Sequence, residues 1–235
     1  GMGEWRTTTV DGSEMRCYVA IPDGASGAPA MAVLHGGFGW DATTEEAVDN
    51  LAGQGVAAIA PDLFHRGAPE RPPGGGPRSG SMNAAEFLAD VNGALDYMGG
   101  MPEIASDRVG VMGFCMGGQV SYLTAGHNPD LSVAVCFYPG FVFNRLGSGE
   151  DQAPFDTSAN IKCPTLILTG EDDGNPSPEM ADRMDAALTA AGTVHEMVLY
   201  PGAAHAFMSK GGDSYREPPA ADGWRRALEW IDRYL

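Results

Sequence analysis

The sequence predicts an α/β protein with a mostly parallel central sheet flanked by helices on both faces. Three observations point there. Short apolar runs alternate with longer amphipathic stretches along the chain. The runs are apolar throughout, as strands buried on both faces must be. The stretches between them are long enough to return the chain to the same end of a parallel sheet. The 235 residues can bury a full core, and one domain spanning 1–235 is expected.

The elements follow in order. Residues 6–10 and 14–22 flank the turn Asp11-Gly12-Ser13 and should form an edge hairpin before parallel pairing begins. Five compact runs read as buried strands: 30–35, 56–60, 109–113, 131–138 and 165–168, with 195–200 as a further strand. Helices are expected near 43–53, 83–98, 116–125, 178–191 and 220–234. Ser177 before Pro178 caps the fourth. Met180, Met184 and Leu188 fall on one face of that helix, and Trp224, Leu228, Ile231 and Leu235 on one face of the last, so both stripes read as core. Residues 69–81, crowded with proline and glycine, read as an exposed loop, either a solvated connector or a wall over the site.

Composition removes several function classes. Thirty-one acidic residues against fourteen Lys and Arg give a formal charge of −17, which repels phosphate backbones and anionic membrane surfaces, so neither nucleic acid nor membrane is an expected partner. No apolar run approaches the length of a bilayer crossing. With no basic-then-apolar leader, a cytoplasmic location is expected. Cys17, Cys115, Cys136 and Cys163 are scattered without CxxC or metal-ligand spacing, so no metal is expected and the four thiols should be free.

One cysteine stands apart. Gly113-Phe114-Cys115-Met116-Gly117-Gly118 follows a buried strand and opens a helix, the Gly-x-nucleophile-x-Gly pattern of a sharp strand-to-helix turn with cysteine in place of serine. Glycines at the flanks admit the close approach of neighbouring backbone, and the helix N-terminus sets N–H dipoles beside the sulfur, favouring thiolate. The other three cysteines read as inert core thiols.

A thiol nucleophile needs a histidine base and an orienting acid. His205 lies in a small-residue loop after the last predicted strand. His127 reads as a loop residue, His195 as an exposed strand position, and His35 and His65 as side chains that could line the site without acting as base. Glu171-Asp172-Asp173 end another strand at the same sheet edge. Ser177 already supplies the next helix cap, so these acids are free for another task; Asp173 is preferred, with Asp172 as the alternative. For the developing oxyanion, the N–H of Met116 and that of Gly37, in the turn His35-Gly36-Gly37-Phe38-Gly39, are the candidate donors. His35, Phe38 and Phe207 are candidate substrate contacts.

Taken together, His35-Gly36-Gly37-Phe38-Gly39, Ala60-Pro61-Asp62-Leu63-Phe64, the Cys115 turn, Gly170-Glu171-Asp172-Asp173 and His205-Ala206-Phe207 resemble, in order, the motifs of the dienelactone hydrolase family. The resemblance spans nearly the whole chain. It implies an α/β-hydrolase fold, a Cys-His-Asp triad with Asp173 as the acid, and no cofactor. It also shows two departures. Gly36 stands where the family carries a glutamate close to the thiol. Met208 and Ser209 stand where the family places a substrate-holding arginine after the histidine, which leaves Arg66 and Arg78 as candidate cations.

The expected reaction is cleavage of a small-molecule ester or lactone through an acyl-cysteine. Amides are disfavoured by their poorer leaving group. A binding or thiol-sensing protein that keeps the same turn is the other reading, prompted by Gly36.

Overall fold

The computed structural model describes residues 2–67, 82–146 and 152–235. The predicted loop at 69–81, with Arg78, lies outside the described residues.

Eight strands form one sheet in the order β1-β2-β4-β3-β5-β6-β7-β8. The edge hairpin pairs β1 (Glu4–Val10) with β2 (Ser13–Ala20) through the turn at Asp11-Gly12. β2 joins β4 (Ala57–Pro61) antiparallel. From there on β3 (Ala28–Leu34), β4, β5 (Ile104–Phe114), β6 (Val133–Phe137), β7 (Thr165–Gly170) and β8 (His195–Tyr200) are all parallel. Parallel strands bring their C-terminal ends, and the loops that follow them, to a single edge of the sheet.

The two-residue side-chain period divides the core. Ala30, Ala32 and Leu34 of β3 pack in one layer beneath α2 (Ala84–Gly99), α3 (Met116–Ala125) and α4 (Pro178–Ala190), while Met31 and Val33 pack in the other against α1 (Ala42–Gly53) and α5 (Glu217–Tyr234). Met184 and Leu188 are fully buried, with Met180 half-buried at the stripe's end, and Ile231 leads the stripe of α5. Ser177 caps α4 as expected, its Oγ accepting from Met180 N–H at 3.2 Å.

Two elements differ from the sequence reading. β5 begins at Ile104 rather than Val109: Ile104 already pairs with Ala28, and the exposed polar residues Ser106-Asp107-Arg108, at a register shift before Val109 pairs with Ala30, hide this first stretch from an apolar reading. A 3₁₀ segment, Pro154–Asn160, carries no apolar period to reveal it.

Candidate active site

Cys115 sits between β5 and α3 with φ 58° and ψ −116°. A side chain there pays for a left-handed backbone, and the packing around it leaves no alternative. A Cβ at Gly113 would lie 2.0 Å from Gly117 O, one at Gly117 2.0 Å from Leu34 O, and one at Gly118 2.6 Å from Phe137 O. The three glycines thus let β5, β3, β6 and the start of α3 converge on the cysteine. The first bond of the helix is Gln119 N–H to Cys115 O at 3.0 Å, so the N–H groups of Met116, Gly117 and Gly118 precede the i→i−4 ladder. Cys115 N–H itself donates to Phe137 O at 3.1 Å.

The loop after β8 carries His205 to this turn. Its Nε2 lies 2.9 Å from Cys115 Sγ and its Nδ1 2.8 Å from Asp173 Oδ2. Asp173, only 5% exposed, follows β7, and its second oxygen accepts from Asn175 N–H at 2.9 Å. Asp172 is exposed, and its backbone N–H is spent on Ala203 O. Of the two acids, Asp173 is the one whose carboxylate faces the imidazole. Burial pulls the His205 pKa down, but the hydrogen bonds to Asp173 and Cys115 outweigh it and lift the group to about 10.

The other histidines are engaged elsewhere. His65 bridges Ser13 Oγ and Asp90 Oδ1, each at 2.8 Å. His127 Nδ1 lies 2.9 Å from Leu123 O, and His195 Nε2 2.8 Å from Asp185 Oδ1. Burial pushes Cys17 to about 12 and Cys163 to about 11, and pushes Cys136 higher still. Those three thiols are buried, while Cys115 is half-buried and touches His205.

Four of the five non-glycine residues with positive φ among the described residues are Cys115, Tyr138, Phe141 and Ala206. All belong to the site or its rim. Tyr138 follows β6 and packs its ring edge-on to His205 at 5.0 Å. Phe141 N–H donates to Asn175 Oδ1 at 2.8 Å, tying the β6 exit to the acid loop. Neither Tyr138 nor Asn175 was singled out from sequence. The signal available was Tyr138-Pro139-Gly140 at a strand exit on the same edge as Cys115 and Asp173.

The sequence profile of the dienelactone hydrolase family matches residues 15–235. The chain belongs to the dienelactone hydrolase family. Similar relatives include provisionally named carboxymethylenebutenolidases of Methylorubrum extorquens, 31% identical over 99% of this chain and 81% of the relative, and of Salmonella typhimurium, 33% identical over 95% and 84%. A provisionally named dienelactone hydrolase from Klebsiella pneumoniae has a crystal structure that superposes with a TM-score of 0.84 at 29% identity, covering 99% of this chain and 98% of the other. The sheet order and these relatives give the α/β-hydrolase fold and make the protein a hydrolase of the dienelactone hydrolase type.

Against that family background, three candidate substrate contacts are engaged within the protein: His35 is 1% exposed, its ring nitrogens taken up by Leu63 N–H and Gly36 O, and Phe207 and Arg66 join it. Phe207 is 0% exposed and packs between Tyr138 and Tyr200, at 5.2 and 5.4 Å, so it supports the wall behind His205 and has no surface to offer a substrate. Its neighbour His205 turns outward because Ala206, at φ 67°, reverses the chain between them. Arg66 is bound to Asp11 and Asp90, at 2.7 and 2.8 Å, and forms a structural cluster with His65. Burial pushes the Asp90 carboxyl up despite the hydrogen bonds from Arg66 and His65.

Phe38 is 60% exposed. With Trp5, Arg16, Trp40, Asp62 and Phe64 it lines a cleft of about 300 Å³ beside the glycine turn. The Arg16 guanidinium lies 4.4 Å above the Trp5 ring. A Cβ at Gly36 would stand 3.7 Å from Cys115 Cβ, so the position where the family carries glutamate does face the nucleophile, and it presents no carboxylate. Ser209 Oγ lies 3.5 Å from Thr43 Oγ1. Among the described residues, no group of three or more His, Cys, Asp and Glu side chains is arranged to hold a metal ion, and no helix is long and apolar enough to cross a membrane.

Proposed function

We propose that this hydrolase cleaves small carboxylic esters or lactones through a covalent acyl-cysteine, with Cys115 as nucleophile, His205 as base and Asp173 as orienting acid. The observation that carries the reading is the unbroken row of hydrogen bonds from Cys115 Sγ through His205 to Asp173, at 2.9 and 2.8 Å, on a strained turn at a helix N-terminus.

The thiol proton rests on His205 Nε2, in keeping with the raised pKa of that ring, and the imidazolium donates from both ring nitrogens, to the sulfur and to Asp173. The thiolate attacks the carbonyl carbon. The C=O π pair moves onto oxygen, and the N–H groups of Gly37 and Met116 receive the oxyanion. Collapse expels the alkoxide, which takes the proton from His205 and leaves a thioester on Cys115. Water then loses a proton to His205 and attacks the thioester, releasing the carboxylic acid and restoring the thiol. With no carboxylate at Gly36, thiol activation falls to His205.

The cleft lined by Phe38, Trp40 and Trp5 beside the Gly36–Gly39 turn is of a kind to take an apolar substrate body, with Arg16 and Asp62 as its charged side chains. A panel of p-nitrophenyl esters tests the reading. Wild type should turn over short acyl esters and Cys115→Ala should not. Matching rates would remove Cys115 as nucleophile; no turnover by either protein would favour the binding or thiol-sensing alternative.

A further inference from the structure

His35 ends β3 and is 1% exposed. Its two ring nitrogens have different tasks. Leu63 N–H points at Nε2 at 3.0 Å, so Nε2 must be the unprotonated acceptor. Nδ1 then carries the hydrogen, and it lies 2.7 Å from Gly36 O, the carbonyl of the next residue. That carbonyl accepts a second hydrogen bond, from Gly39 N–H at 3.1 Å.

The consequence lies in the peptide unit shared by Gly36 and Gly37. The cis peptide among the described residues is Asn175-Pro176, so the 36–37 bond is trans, and its C=O and N–H point in opposite directions. Fixing Gly36 O against His35 therefore aims Gly37 N–H the other way. The loop runs against Cys115, since a Gly36 Cβ would lie 3.7 Å from Cys115 Cβ and 3.6 Å from Phe114 O. Two adjacent glycines leave this peptide free to rotate. A flip would replace the N–H by a carbonyl oxygen, which repels an oxyanion.

The ring is itself anchored. Phe64 packs on it at 5.0 Å. The segment that supplies Leu63 N–H is pinned by Phe64 N–H to Asp62 Oδ1 at 2.9 Å, by His65 to Asp90, and by Arg66 to Asp11 and Asp90. This gives the buried His65–Arg66–Asp90 cluster a connection to the site: it holds the backbone that holds His35.

We propose that His35 is a positioning residue that locks the Gly36–Gly37 peptide with its N–H toward the oxyanion, and so sets the rate of acylation without touching substrate. The inference rests on the acyl-cysteine reading above.

Two substitutions split the ring's two bonds. In His35→Asn the amide nitrogen can take the place of Nδ1 and keep the donor to Gly36 O. In His35→Gln the longer side chain can keep an acceptor for Leu63 N–H but withdraws that donor. Turnover of p-nitrophenyl acetate should fall in kcat by about 10²-fold in His35→Gln, the scale of one lost oxyanion donor, and stay near wild type in His35→Asn. Alkylation of Cys115 by iodoacetamide forms no oxyanion, so its rate should be unchanged in both. Equal losses in the two variants, or a fall in alkylation that parallels turnover, would overturn the inference.

In wild-type protein labelled with ¹⁵N-histidine, the ring shifts should report a neutral Nδ1–H tautomer for His35; an Nε2–H tautomer would overturn it without any variant. Cys115→Ala run alongside separates the two levels. An active Cys115→Ala removes the acyl-cysteine reading, whereas an inactive Cys115→Ala with a fully active His35→Gln removes only the role of His35.

Discussion

Gly117→Ala should lower both stability and activity, although alanine is the better helix former. Gly117 is the second residue of α3, where replacing glycine by alanine favours the helix by about 1 kcal/mol. Against this, the new methyl would sit 2.0 Å from Leu34 O, 2.6 Å from Leu34 C and 2.8 Å from His35 O. All three are backbone atoms, so no side chain can swing aside. The shortfall from the 3.0 Å that real Cβ atoms keep is about 1 Å, and overpacking of this kind in rigid surroundings costs about 3 kcal/mol or more. The net loss is then about 2 kcal/mol, or a fall in Tm of about 4–8 °C for a chain of this size.

Relief requires α3 to move away from β3, carrying Cys115 with it. A displacement of about 1 Å costs on the order of 10²-fold in rate. Gly53→Ala is the control, since nothing lies within 4 Å of a Cβ at that position, the last residue of α1. Thermal unfolding and p-nitrophenyl acetate hydrolysis, run on both variants, decide the matter. A Gly117→Ala protein that melts and turns over like wild type would refute the account of the glycines.

Three further outcomes are expected. Asp173→Asn should lower kcat by about 10²–10⁴-fold, because an amide facing His205 Nδ1 favours the tautomer that cannot accept the thiol proton; Asp172→Asn, at an exposed side chain, should leave kcat near wild type, and the reverse order would reassign the acid. Iodoacetamide at mildly acidic pH, followed by peptide mapping, should mark Cys115 before Cys17, Cys136 and Cys163, which burial keeps protonated and inaccessible; equal labelling would contradict an activated thiol. Because the His205 pKa rises on folding from 6.5 to about 10, its protonation stabilises the native state fully below pH 6.5 and progressively less up to about 10. The Tm advantage of wild type over His205→Asn should therefore shrink across that window, and an advantage that grew with pH would show the sign to be wrong.

How far the sequence could be read depended on whether backbone or side-chain direction was being asked for. The strands of β3, β4, β6 and β7 were visible because burial on both faces excludes polar residues from them, and the Cys115 turn because three backbones converge there on glycine. Position along a strand exit also sufficed to bring Cys115, Asp173 and His205 to one edge. Direction was harder. Asp172 and Asp173 differ only in which way each points, and that is set by the turn onto Ala203 and Asn175. Phe207 is two residues from His205 yet faces the core, because the positive φ of Ala206 reverses the chain. Arg66 follows Asp62 at the right edge, but buried Asp90 on α2 claims it. Trp5 and Arg16 join the cleft from the edge hairpin, too distant in sequence for any local pattern to link them to Phe38.

The most direct test of the central claim is the intact mass of the protein quenched in acid milliseconds after mixing with excess p-nitrophenyl acetate, with the adduct mapped by peptide. The account predicts one acetyl group, carried on Cys115 and absent in Cys115→Ala, appearing together with a burst of p-nitrophenol. Steady turnover with no adduct, or an acetyl group mapped to any other residue, would contradict it.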